Sequence, residues 1–184
     1  MMALNGDIPV HTRRLLLRRV KADDLGDLLV VNGDDATTRF LPYATWRSTS
    51  DGLAWFERMA ALQAAGGTAQ YVIEHRELRR VIGSCLLFRH DEASARAELG
   101  YVLGRMHRGQ GLMFEALNGL IAHAFGTLGL RRLEADVNPL NSASVRLLEH
   151  LGFAREGLLR QRWVTKGEVC DSLLYGLLRE EARP

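Results

Sequence analysis

The chain changes hydrophobic period at residues 99–111, and this change limits the folds open to it. Three strand-like segments separated by charged turns lead up to that point, at residues 70–75, 81–89 and 95–103. Residues 111–128 then carry apolar side chains at helical spacing, and Gly129 is positioned to end that helix. These patterns predict an antiparallel meander followed by a crossover helix.

The remaining segments complete a mixed α/β order. Asp23 and Asp24 open a helix that fades at residues 32–35, and Ser50 or Asp51 caps a second helix ending near residues 66–67. Further strands are predicted at 12–20, 132–137, 153–163 and 169–178, with a last helix at 141–151. The predicted order is βααβββαβαββ. With 184 residues, 47% of them hydrophobic, and without linkers or repeats, we expect one domain over residues 1–184.

Composition argues against several functional classes. A net charge of +2 does not favour a nucleic-acid partner. Cys85 and Cys170 have no metal-ligand spacing, so no metal is expected. The N-terminal residues lack the pattern of a secretory signal, and no apolar run approaches the ~20 residues that span a bilayer. We therefore expect a cytoplasmic protein without a membrane partner; its assembly state stays open, with a homodimer as one option.

The glycine turn before the long helix has the features of an anion site. Gly109 and Gly111 allow the backbone to approach an anion, the helix N-terminus favours negative charge, and Arg108 adds a full charge. A nucleoside-triphosphate loop is excluded because Gln110 and Gly111 stand where lysine and a hydroxyl residue are required. The turn also fails as a dinucleotide-binding loop, because Phe114 stands where that motif has its third glycine. The turn therefore predicts either a diphosphate on another ligand or a plain helix cap.

Two motifs around this turn resemble those of the GNAT acetyltransferase superfamily. RGQGLM at residues 108–113 is similar to the family's central Arg/Gln-x-x-Gly-x-Gly/Ala motif, although Met113 stands where glycine or alanine is usual. NPLNSAS at 138–144, followed by LLEHLGF at 147–153, resembles the family's Asn-x-x-Ser/Ala helix ending in Leu-Gly-Phe. ELGY at 98–101, RLEA at 132–135 and Asp171 narrow the resemblance to the branch of Rim-type ribosomal-protein N-terminal acetyltransferases.

The resemblance implies a single-domain GNAT-like mixed sheet whose splayed central strands hold acetyl-CoA. It places the pantetheine arm against the backbone of Tyr101, Val102 and Leu103, with Asn138 or Asn141 reaching the arm or the thioester. The pyrophosphate is expected on the segment formed by Arg108, Gly109, Gln110, Gly111, Leu112 and Met113. This cofactor segment coincides with the anion site predicted from the residues.

Amide formation from a thioester requires a base for the amine and a proton for the departing thiolate. Glu98 is the candidate base, the alternative being a salt-bridged strand carboxylate, whereas Glu134 is expected to pair with an arginine. Leu148 stands where many family members place a tyrosine acid. The resemblance to the Rim-type branch gives this role to Ser144, which alternatively caps the helix beside Asn141.

The predicted function is direct transfer of acetyl to an amine, with a protein or peptide N-terminal α-amino group as the expected acceptor. The acceptor argument rests on arginines such as Arg47 and Arg162, which outnumber acids in the candidate acceptor segments and disfavour a polycation. Tyr43, Trp46 and Trp163 either border the acceptor pocket or pack ordinarily. The alternatives are an acetyltransferase of a small amine, such as an antibiotic or polyamine, and a catalytically idle acyl-CoA-binding module.

Overall fold

A computed structural model describes Leu4 and residues 7–182 of the chain. These residues include eight strands of one sheet: β1 (Val10–His11), β2 (Leu15–Arg18), β3 (Ala69–His75), β4 (Arg80–Asp91), β5 (Arg96–Leu103), β6 (Arg132–Val137), β7 (Ala154–Thr165) and β8 (Glu168–Leu178). The strands lie in the order β1-β2-β3-β4-β5-β6-β8-β7. Neighbours are antiparallel except β5 and β6, which are parallel.

Five helices in the same residues connect the strands: α1 (Leu25–Asn32), α2 (Asp35–Thr38), α3 (Thr49–Ala64), α4 (Leu112–Gly126) and α5 (Ser142–His150). Short 3-10 turns lie at Ala22–Asp24, Arg105–His107 and Arg179–Glu181. Helix α4 joins the two parallel strands, because a parallel pair requires a crossover connection. None of the helices described is both long and apolar enough to cross a membrane.

The sheet is covered on both faces. Helices α4 and α5 pack on one face, where alternate residues of the central strands, such as Ala97, Leu99 and Leu103, join the main core. Helices α1 and α3 form a smaller core on the other face with Trp46 and Val72. Side chains that alternate with the main-core residues on β5 and β6 therefore point away from α4 and α5.

The structure confirms the predicted mixed sheet, the meander and the crossover helix. It differs from the prediction where elements are short: β1 and α2 were not predicted, since two- and four-residue elements carry no periodic signal. Helix α3 begins earlier than predicted, because Ser48 rather than Ser50 or Asp51 is its N-cap and Asp51 completes a capping box from the third helical position.

Candidate active site

The central strands β5 and β6 separate after three paired residues. Their last pair is Glu98 with Glu134, and in the described chain no β5–β6 pairing continues past it. Strand β5 stays paired with β4 as far as Leu103, and β6 stays paired with β8 as far as Val137. Residues 99–103 therefore present one free backbone edge to a gap in the middle of the sheet, which agrees with the predicted splay.

The glycine turn opens α4 at the wide end of this gap. Gly109 and Gly111 have φ angles of +74° and +72°, in the left-handed region that glycine enters without strain. The first amide bonded into the helix is that of Glu115, which donates to the Gly111 carbonyl at 3.0 Å. Within the described residues, the amides of 109–114 donate to no acceptor and remain available for an anion.

The side chains beside these amides leave the turn open. Leu112 and Met113 are buried in the main core. The departure at Met113 from the family motif therefore does not crowd the loop. A Cβ built on Gly109 meets nothing within 4 Å, so the space above the turn is free.

The Arg108 side chain was predicted to add its charge to the anion site, but in the structure it is bonded to other groups. Its guanidinium donates to the Leu103 carbonyl at 3.2 Å and to Thr37 Oγ1 at 2.9 Å. Its backbone amide donates to Arg105 at 3.2 Å. Arg108 thus ties the loop to the end of β5 and to α2, and it occupies a carbonyl that was predicted to face the pantetheine arm.

A second arginine at the loop was missed by sequence reasoning. The Arg14 guanidinium donates to the Gln110 carbonyl at 3.0 Å and lies 3.7 Å from a Cβ built on Gly111. It also forms a 2.6 Å ion pair with Glu115 in the first turn of α4. Residues 14 and 110 are 96 positions apart, so no local pattern pointed to this contact.

Both candidate asparagines use their side-chain oxygens locally. Asn138 accepts from the Leu140 amide at 2.9 Å, and Asn141 accepts from the Ser144 amide at 3.3 Å as the N-cap of α5. These bonds shape the turn between β6 and α5. A role for either residue toward the pantetheine arm or the thioester stays a prediction.

Glu98 lies at the narrow end of the gap, on the sheet face away from α4 and α5. Its side chain is 14% exposed, and it accepts a 2.8 Å bond from Arg89 Nη1. Burial raises the pKa of Glu98, and the charges of Asp136 and Glu134 raise it further, while Arg89 opposes the shift. Glu98 is thus both salt-bridged and shifted in the direction that a general base requires.

Glu134 has a different environment from Glu98, as predicted. One carboxylate oxygen accepts from Arg96 Nη1 and the other from Arg132 Nε, each at 2.8 Å. Both oxygens of Glu134 are therefore held by arginines, whereas Glu98 contacts one.

Ser144 and Tyr101 meet on the opposite face of the sheet. Their hydroxyl oxygens are 2.5 Å apart, and either can donate. Tyr101 packs against the main core, and its burial raises the pKa of its hydroxyl to about 12. The Ser144 hydroxyl therefore contacts a strand across the gap, while Asn141 supplies the helix cap. The sequence had suggested only backbone contacts for Tyr101.

Three aromatic residues were candidates for the border of the acceptor pocket. Of these, Trp163 is the one that lies beside Asp136 and the Arg89–Glu98 pair. Trp46 is buried against Trp55, and Tyr43 donates to Asn32 Oδ1 at 3.0 Å. The Trp163 indole donates to Asp136 Oδ2 at 3.0 Å, and Ser172 bonds the other oxygen of Asp136.

The hairpin of β7 and β8 closes this face at its edge. Lys166 Nζ in the hairpin turn donates to the Thr38 carbonyl of α2 at 2.7 Å. Because Arg108 holds the neighbouring Thr37, α2 bridges the glycine loop and the hairpin. In residues 7–182, no group of three or more metal-ligating side chains is placed to hold a metal ion.

Comparison with known proteins gives matches over most of the chain. The sequence model of the acetyltransferase (GNAT) domain matches residues 14–154. An uncharacterized N-acetyltransferase of Bacillus licheniformis, p20, is 34% identical over 172 residues, which cover 94% of this chain and 97% of that protein. The ribosomal protein uS5-alanine N-acetyltransferase of Escherichia coli is 36% identical over 86 residues, covering 47% of this chain and 44% of that protein.

Solved structures share the fold. Mycobacterium smegmatis RimJ in complex with CoA-disulfide has a TM-score of 0.87 at 24% identity, over 95% of this chain and 89% of that one. Spermidine N-acetyltransferase from Vibrio cholerae, in complex with CoA and spermine, has a TM-score of 0.80 at 20% identity, over 91% and 97%. The fold therefore does not choose between acceptors. Because the domain match and the Bacillus licheniformis relative both span most of the sequence, the chain belongs to the GNAT acetyltransferase family and is an N-acetyltransferase.

Proposed function

We propose that this enzyme takes its acetyl group from acetyl-CoA and transfers it directly to the α-amino group of a protein or peptide. The observation that carries the proposal is the gap between β5 and β6, with a partly buried carboxylate on one face and paired hydroxyls on the other. A relative is named for acetylating an alanine of ribosomal protein uS5, and the RimJ neighbour was solved with CoA-disulfide.

The residues of the chain fit a CoA thioester. The free amides of 109–114 and the positive-φ glycines suit a pyrophosphate, and the Arg14 guanidinium lies beside them. The free edge of β5 offers backbone donors and acceptors to the amides of an extended arm. When bound, acetyl-CoA supplies an activated acyl group with a thiolate as its leaving group.

Glu98 is the proposed base. A carboxylate with a raised pKa accepts a proton from an ammonium more readily than an ordinary one does. Residues 98 and 101 are three positions apart on β5, or roughly 10 Å at the usual rise of a strand. This separation favours proton transfer to Glu98 through a water molecule over direct contact when the acceptor lies near Tyr101.

Ser144 and Tyr101 are the proposed proton donors for the leaving sulfur. Since the pKa of Tyr101 is raised to about 12, its hydroxyl stays protonated at neutral pH and can support donation by Ser144. The amine loses its proton on the Glu98 face of the sheet, and the thiolate gains one on the α5 face. The two proton transfers therefore do not compete for one group.

Direct transfer agrees with the surroundings of the nucleophilic side chains. Cys85 is buried and burial raises its pKa, which disfavours the thiolate needed for attack. Cys170 is only partly buried, and its thiol lies 3.8 Å from Thr165 Oγ1, away from the Tyr101–Ser144 pair. Ser144 contacts a tyrosine hydroxyl rather than a base, so it lacks the activation of an acyl-forming serine.

The charges on the Glu98 face support a single amine over a polycation. Glu134 is neutralised by two arginines and Glu98 by Arg89, which leaves Asp136, bonded only by the neutral Trp163 and Ser172 side chains, as the one carboxylate of this group without an arginine. A polycation needs several free carboxylates, one for each ammonium group. A peptide brings one ammonium group and an otherwise polar backbone.

Competition between acceptors tests the proposal. Peptides with free N-termini, aminoglycosides and polyamines are supplied at equal concentration with acetyl-CoA, and products are identified by mass spectrometry. We expect acetyl on the α-amino group of the peptides and none on matched peptides whose N-terminus is blocked but which contain an internal lysine. A higher kcat/KM for any polycation would overturn the assignment of the acceptor.

A further inference from the structure

Two β-bulges, one on β4 next to the Phe88–Glu98 pair and one on β7, each contain a strained residue. The register of β4 against β5 shifts between Phe88 and Asp91, and Arg89 in that interval has a φ of 51°. The register of β7 against β8 shifts between Leu159 and Trp163, where Gln161 has a φ of 50°. A left-handed conformation is strained for a residue other than glycine. Such bulges re-aim side chains next to active sites.

The two bulges bring their side chains to the same place. The Arg89 guanidinium carbon lies 5.6 Å from the centre of the Trp163 ring, and that of Arg162 lies 5.1 Å from it. Asp136 fixes the ring by accepting its indole N–H. Arg89 also donates to Glu98 at 2.8 Å, so this cation and aromatic stack begins one hydrogen bond from the proposed base.

One of the two arginines of the stack, Arg162, has no ion-pair partner among the described residues, whereas Arg89 pairs with Glu98. Arginine stacked on an aromatic ring keeps its N–H edge free for a planar anion. Among the described residues, Glu98 is the single carboxylate within ion-pair distance of Arg89. No described carboxylate lies within that distance of Arg162. Glu134 is paired with two arginines, whereas Asp136 and Asp171 accept hydrogen bonds from neutral groups and keep their charges. Beyond Glu98 an acceptor therefore meets the guanidinium of Arg162, which pairs with no described carboxylate, and the Asp136 carboxylate lies on the indole N–H side of the ring.

We infer that Arg89 and Arg162, held on Trp163, bind a carboxylate of the acceptor, so that the enzyme prefers peptides with Asp or Glu as the second residue. This inference rests on the proposed α-amino acceptor. With the amino group directed at Glu98, the second residue begins about 3.8 Å further along the peptide. Its side chain then points toward the stack, where bidentate contact with a guanidinium is available.

The same contact connects acceptor binding to the base. Arg89 is the group that opposes the raised pKa of Glu98. When the acceptor carboxylate takes over part of the Arg89 hydrogen bonding, the Glu98 carboxylate gains proton affinity. An acidic second residue therefore favours proton removal as well as binding, and its effect extends to kcat.

Peptides that differ only at the second residue test the inference. With the wild-type enzyme we expect kcat/KM to be about tenfold or more higher for Glu than for Gln, and lowest for Lys, since a hydrogen bond from a guanidinium to a carboxylate is stronger than one to a neutral amide. Arg162→Gln should remove most of the preference for Glu over Gln. The matched control is Arg160→Gln, an exposed arginine two positions earlier on β7, which should retain it.

The outcomes separate this inference from the proposed function. Equal rates on the Glu and Gln peptides, or a full preference in Arg162→Gln, would overturn the carboxylate site and leave the α-amino acceptor in place. No acetylation of any peptide would overturn the proposed function, and the inference with it. Because the peptide series uses the wild-type enzyme, its result does not depend on how well a variant folds.

Discussion

At the scale of single residues, Glu98 can be separated from its neighbour Glu134. Both lie on the same face, but Glu134 holds two arginines and Glu98 holds one. Glu98→Gln should lower kcat by ~10²-fold or more and leave the Kd for acetyl-CoA nearly unchanged. The measurements are steady-state kinetics and calorimetry. The control is Glu134→Gln, which should lower Tm because it breaks two ion pairs, and should change kcat much less than Glu98→Gln does.

The pH dependence of the rate, compared between wild type and Glu98→Gln, is a second test of Glu98 as the base. The pKa of Glu98 is raised above the ordinary 4.5, so the wild-type rate should fall as acid protonates it at a pH above that value. Glu98→Gln should lack this acidic limb. A variant as fast as wild type, or one that loses acetyl-CoA affinity in proportion to rate, would make Glu98 a structural residue.

Tyr101 and Ser144 should behave as one unit. Ser144→Ala is expected to lower kcat by about 10²-fold, and Tyr101→Phe by a smaller factor, because its ring still fills the core. The double variant should be no slower than Ser144→Ala, since both hydroxyls serve one proton transfer. Multiplied losses in this double-mutant cycle would show that the two hydroxyls act independently.

At the scale of elements, the turn before α4 depends on its backbone conformation. Gly111→Ala forces a side chain into a φ of +72°, which should distort the amides of 109–114 and raise the Kd for CoA by about tenfold or more. The control is Gly126→Ala at the other end of α4, where a Cβ meets nothing and φ is not positive. It should be neutral or slightly stabilising. Undiminished CoA affinity in Gly111→Ala would remove the turn from the cofactor site.

The sequence predicted this turn well because only glycine adopts the required conformation easily, so the residue type reveals the backbone. The same reasoning failed at the bulges of β4 and β7, where Arg89 and Gln161 adopt positive φ without being glycine. It also missed the contact between Arg14 and Gln110, which depends on the packing of β2 against the start of α4. Periodic elements were predictable; contacts made by tertiary structure were not.

At the scale of the whole molecule, a buried histidine should make stability depend on pH. His123 is 8% exposed, lies edge-on to Tyr71, and its Nε2 has no hydrogen-bond partner among the described residues. Burial lowers the pKa of His123 below 6.5. As pH falls below 6.5, the unfolded chain binds a proton that the folded chain does not, so stability decreases.

Urea unfolding at pH 7.5 and 5.5 measures this effect. The free energy of unfolding should fall by up to about 1.4 kcal/mol per pH unit below 6.5, and less in His123→Phe, which cannot be protonated. Burial also lowers the pKa of His107, which contributes in the same window, so the part due to His123 is the difference between wild type and His123→Phe. Acidic groups with lowered pKa values, such as Glu115, contribute at lower pH. The full pH dependence in His123→Phe would assign the effect to another group.

The gap between β5 and β6 is the proposed place of the reaction, with the base on one face of the sheet and the proton donors on the other. A crystal structure with CoA bound tests this most directly. We expect the pyrophosphate on the amides of 109–114, the pantetheine arm along residues 99–103, and the sulfur within hydrogen-bond distance of Ser144 or Tyr101. A CoA molecule bound outside the gap, or a sulfur on the Glu98 face and away from both hydroxyls, would contradict it.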